Sequence, residues 1–124
     1  MSARGFSLVE GIMALAILGV VMAAVIPTFT TYQDTNRRNE ERTCAVAVAQ
    51  QVLEANRRLD PGLMMNSGGA DWPSVSLDGR VYDVFISYCL LEQYCTDNSR
   101  HLTVEVSYDG RTLYSAESVF TKLR

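Results

Sequence analysis

The chain has 124 residues, 48% of them hydrophobic, and a formal net charge of −3. This suffices for one small domain beside an apolar segment, and the acidic balance argues against binding nucleic acid through bulk charge. Three cysteines give, in an oxidising compartment, one disulfide and one free thiol.

The first element is an apolar helix. No charged residue occurs between Gly11 and Gln33, and the run to Phe29 is close to the ~20 residues that cross a hydrocarbon core of ~30 Å. Only the amino terminus and Arg4 precede it as cations. The positive-inside bias therefore leaves the N-terminus cytoplasmic and the remainder outside. A cleavable secretory signal, with Val21-Met22-Ala23-Ala24 as its cleavage region, is one plain reading, and a simple anchor is another. Neither accounts for Glu10, since a carboxylate at the mouth of the segment costs about 2.5–3.5 kcal/mol on insertion scales. A cut between Gly5 and Phe6 supplies the missing partner. The new amine, with a reference pKa of ~7.7–8.0, is largely protonated at neutral pH. It lies one helical turn from Glu10, so the amine of one helix can meet the carboxylate of its neighbour. Such a pair fixes axial register more than it adds net stability. Further along, Gly19 weakens the helix. Pro27 removes a hydrogen bond and clashes with the carbonyl of residue 23, which opens or kinks it.

Gly5-Phe6-Ser7-Leu8-Val9-Glu10, the apolar run after it, and Gly19 and Pro27 within it resemble the type III signal and N-terminal helix of type IV pilins and pseudopilins. The likeness spans Gly5 to about Tyr32. It implies a short leader, residues 1–5, removed by a prepilin peptidase that also N-methylates Phe6. It implies a hydrophobic helix, residues 6–32, that spans the inner membrane before assembly and lines the filament core afterwards. Residues 33–124 are then the globular domain. The resemblance assigns Phe6 and Glu10 to assembly and Gly19 and Pro27 to helix opening. The implied partners are further copies in a helical filament, the peptidase, and an inner-membrane assembly platform. Nucleic acid is left as a partner of the assembled fibre alone.

After Phe29 the chain turns polar without helix breakers, and Arg37, Arg38, Glu40, Glu41 and Arg42 offer charge pairs along a helix. From Cys44 the pattern is amphipathic, with Ala45, Val48, Ala49, Val52 and Leu59 at helical spacing. Asp60-Pro61-Gly62 ends the helix. Residues 63–74 read as a loop, with Trp72 as its one large anchor and Met64 and Met65 beneath it. Strand patterns follow. Residues 74–77 are turned back by Asp78-Gly79. Residues 80–91 read as a central strand, apolar on parts of both faces. His101 to Tyr108 alternates, with Leu102, Val104, Val106 and Tyr108 inward and His101, Thr103, Glu105 and Ser107 outward. Asp109-Gly110 leads into a last strand. The expected fold is α+β: a long N-terminal helix packed on a three- to four-stranded antiparallel meander.

Cys89 and Cys95 are the favoured disulfide because they lie close in sequence. The rival pairings join Cys44 to either one. Three thiols without a fourth ligand do not read as a metal site, and no cofactor is expected. His101, Asp97 and Ser99 allow a Ser-His-Asp grouping on paper, but His101 reads better as a solvated surface residue and Asp97-Asn98-Ser99 as a turn. The chain is expected to be no enzyme. Its expected role is a structural subunit of a type IV pilus, first in the bacterial inner membrane and then in an extracellular fibre serving adhesion, twitching motility or DNA uptake. The alternatives are a minor pilin or pseudopilin of a type II secretion or competence system, and a membrane-anchored extracytoplasmic binding module that never polymerises.

Overall fold

The computed structural model describes Gly5 and residues 7–122. One helix, α1 (Leu8–Arg57), precedes four strands, β1 (Gly68–Leu77), β2 (Arg80–Tyr88), β3 (Ser99–Tyr108) and β4 (Arg111–Thr121). The chain divides into two compact units, Met1–Arg38 and Asn39–Arg124.

In the first unit the Ser7 carbonyl accepts the N–H groups of Glu10 and Gly11, at 3.0 and 3.2 Å, and so closes the first helical turn. No residue from Leu8 to Arg38 is buried. The helix is continuous through Gly19 and Pro27. Pro27 offers no N–H to the carbonyl one turn back. The threonines after it add side-chain bonds to other carbonyls of the helix: Thr28 Oγ1 bonds the Ala24 carbonyl at 3.0 Å, and Thr30 and Thr31 Oγ1 both bond the Pro27 carbonyl at 2.9 Å.

The second unit is built on a meander of strand order β1-β2-β3-β4, antiparallel throughout. Two Asp-Gly turns set its hairpins. Asp78 and Gly79 have φ of 53° and 72°, and Asp109 and Gly110 have 52° and 70°. This left-handed pair twists with the strands, and Asp and Gly tolerate it. Glu41, Ala45, Val48, Ala49, Val52 and Asn56 form the buried stripe of α1. It meets Tyr82, Val84 and Ile86 of β2 and Leu102, Val104 and Val106 of β3. Alanines in the stripe let the helix approach the sheet closely, while the branched residues on the strands fill the space between. Two ion pairs reinforce the contact, Arg111–Glu41 at 3.2 Å and Arg80–Glu40 at 3.4 Å.

Several expectations need correction. The loop of residues 63–74 is shorter than its composition suggests: β1 begins at Gly68, and Trp72 belongs to a strand. Gly-Gly-Ala has little intrinsic strand preference. Pairing with β2 overrides it, because the Phe85 ring lies over Gly69, where a Cβ would sit 2.4 Å from a ring carbon. Pro73 falls in the register shift between Trp72 and Val75 of this edge strand, where no ladder donor is needed. At its other end β2 stops at Tyr88. Cys89 turns to φ 56°, and Leu90 is 63% exposed.

The helix stop at Asp60-Pro61-Gly62 is a short 3-10 turn, Pro61–Leu63. Asp60 accepts the Gly62 N–H at 3.0 Å and pairs with Lys122 Nζ at 2.5 Å. The Lys122 hydrogen bond, then that of Gly62, holds the Asp60 carboxyl below its ordinary range. A carboxyl depressed in the folded state adds stability above its unfolded pKa, about 3.9, and loses it as the pH falls through the folded value. Lys122→Met is expected to move the Asp60 midpoint up toward that of a free carboxyl, as read by side-chain carboxyl NMR titration.

Candidate assembly site

The N-terminal motif lies at the start of α1. Gly5 is exposed, and a Cβ there would meet nothing within 4 Å. Phe6, assigned by the sequence to cleavage, methylation and assembly, lies outside the described residues. Glu10 stands in the first helical turn, exposed, with no ion-pair partner among the described residues. The helix dipole favours a carboxylate there by about 0.3–1 kcal/mol. This is smaller than the about 2.5–3.5 kcal/mol cost of holding the charge at bilayer depth. The dipole alone does not offset that cost.

Among the described residues nothing covers the apolar helix that follows. Thirteen large apolar residues between Leu8 and Phe29 are exposed, with Leu8 at 79% and Leu15 at 69%. Burial of each such side chain is worth about 1.5–3 kcal/mol. Together they amount to tens of kcal/mol, more than the roughly 5–15 kcal/mol that stabilises a whole domain. The segment is long and apolar enough to cross a membrane. Its stable surroundings are lipid or other apolar helices.

The cysteines fall elsewhere. Cys89 and Cys95 are joined in a disulfide, and Cys44 is a half-buried free thiol. Cys44 neighbours Tyr82, whose hydroxyl is pushed up in pKa by burial and then by that thiol. The disulfide closes a loop that folds over one end of β3. The Cys89 N–H bonds the His101 carbonyl at 2.8 Å, the His101 N–H points to Cys95 Sγ at 3.4 Å, and the Tyr94 ring centroid lies 6.4 Å from that of His101.

This loop overturns the solvated reading of His101. The residue is 2% exposed, and Thr103 beside it on the same face is 4% exposed. Alternation along β3 marks only the face toward α1; the loop that covers the opposite face is invisible to it. Nor does the paper triad assemble among the described residues. Ser99 Oγ donates to the Tyr94 carbonyl at 2.9 Å, and the carboxylate near His101 Nε2 is that of Glu117, at 3.6 Å, not Asp97. Among the described residues no group of three or more His, Cys, Asp or Glu is placed to hold a metal ion. Replacing both Cys89 and Cys95 by Ser is expected to cost about 2 kcal/mol, since the closed loop is short. It should also expose His101, with chemical denaturation and imidazole proton exchange as the readouts.

Residues 1–26 match the family model described as the prokaryotic N-terminal methylation motif. The segment that carries Gly5 and Glu10 is thus a type IV prepilin-like signal. With the exposed apolar helix behind it, this supports a protein of type IV pilin or pseudopilin type, processed as a prepilin and anchored in the membrane as a precursor. Neither characterised proteins nor solved structures give a match to the chain.

Proposed function

We propose that the chain is a structural subunit of a type IV pilus. In this reading a prepilin peptidase cuts between Gly5 and Phe6 and methylates the new amine. Residues 6–32 hold the mature subunit in the inner membrane, and an assembly platform then moves it into an extracellular helical fibre. Residues 33–124 form the surface of that fibre, through which adhesion, twitching motility or DNA uptake would act. During assembly the amine of Phe6 in one copy neutralises Glu10 of the next. Gly19 and Pro27 let the helix open so that apolar stems pack at a steeper rise. The observation that carries the reading is Glu10, without an ion-pair partner among the described residues, heading an exposed apolar helix within a matched methylation motif.

The same features serve a minor pilin or a pseudopilin of a secretion or competence machine, which differs in stoichiometry. Sheared surface fibres, analysed by quantitative mass spectrometry, decide between them. A main pilus subunit is expected to dominate the fibre mass. A trace amount in fibres made mostly of another chain would move the assignment to a minor subunit.

A further inference from the structure

Arg100 opens the inward face of β3, opposite Phe120 in register, and is only 6% exposed. Its Nη1 donates to the carbonyls of Thr96 and Ser99. Its Nε is buried with no hydrogen-bond partner, and among the described residues no carboxylate forms an ion pair with it. Guanidinium cannot shed its proton to escape such a site. A buried charge left unpaired costs several kcal/mol, and carbonyl dipoles on one nitrogen relieve only part of that. The side-on edge made by Nε and Nη2 is the one that grips two oxygens of a planar anion. Arg100 also walls a cavity of about 290 Å³, shared with Asn66, Glu92, Thr96, Asp97 and the Cys89–Cys95 disulfide.

We propose that this cavity under the disulfide loop binds a small, singly charged oxyanion, a carboxylate group, on the free edge of Arg100. Asn66 adds a hydrogen-bonding side chain at its wall, while the Thr96 hydroxyl is already committed to Ser99. Glu92 and Asp97 border the same space and repel negative charge, so the site selects a monoanion over a dianion. The site is independent of the assembly segment and of whether the chain polymerises.

The test uses the full chain, solubilised in detergent and freed of buffer anions, titrated with acetate and, separately, with inorganic phosphate. The readout is the Arg100 Nε–H resonance together with the amides of Thr96 and Asp97. Acetate is expected to shift these signals saturably and more tightly than phosphate at neutral pH. Arg100→Gln should weaken acetate binding by about tenfold or more, the scale of a lost charge-assisted bond. Asp97→Asn should tighten it by about threefold, the scale of an exposed charge interaction. If Arg100→Gln does not fold, Asp97→Asn and the wild-type titration decide the matter. No saturable shift in the folded wild type, a shift elsewhere only, or weaker binding in Asp97→Asn would overturn the proposal. Tighter binding of phosphate would overturn the preference for a carboxylate.

Discussion

Replacing Glu10 by Ala is expected to remove the chain from surface fibres while leaving it in the membrane. The substitution deletes a charge that costs about 2.5–3.5 kcal/mol at bilayer depth, so the precursor should be held there at least as well as the wild type. On the proposed pairing, what is lost is the counter-charge for the amine of the adjacent copy. Leaving one member of a desolvated pair alone costs about 3–5 kcal/mol, a factor of hundreds or more in incorporation at 1.4 kcal/mol per tenfold. Glu10→Gln keeps the size and much of the hydrogen bonding, and should fail nearly as badly if charge is what matters. Immunoblots of sheared and membrane fractions read both. Equal amounts of wild-type and Glu10→Ala chain in the sheared fraction would mean that the pairing plays no part. An anchored module that never polymerises would appear in neither sheared sample.

Leu102→Ala is expected to destabilise the globular unit by about 2–5 kcal/mol. Leu102 is fully buried on β3, paired with Tyr88 of β2 and Ser118 of β4 and grouped in one core with the α1 stripe. Truncation loses the transfer energy of the side chain and leaves a cavity that a small core cannot collapse around. For a unit of this size each kcal/mol moves the midpoint by about 4–8 °C, so Tm should fall by on the order of 10 °C or more in thermal circular dichroism. Val81 on the neighbouring strand is 57% exposed, and Val81→Ala should stay within about 0.5 kcal/mol of wild type. Similar losses at both positions would contradict the core described above.

Much of this was legible in the chain, for identifiable reasons. The Asp-Gly pairs report their own backbone geometry, so both flanking hairpins could be read locally. The alternation of Leu102, Val104 and Val106 and the helical spacing of Ala45, Val48 and Val52 report burial because each lies on a regular element facing one core. Glu10 stood out because its cost has no local compensation. What escaped depended on non-local cover. His101 looks solvated until a loop, positioned by a disulfide and by Tyr94, is laid across it. Gly69 looks like a loop residue until Phe85 of the paired strand comes to rest over it. Arg100 gave no sign at all, since its burial arises where that same loop meets the end of β3.

The proposed assembly requires that the amine of Phe6, freed by processing, meet Glu10 of another copy. The most direct measurement is the intact mass and N-terminal peptide of the chain recovered from sheared fibres. The predicted result is a mature chain that begins at Phe6 and carries one added methyl group. A mature start well beyond Ala24 would eliminate both charges together, and the assembly mechanism with them.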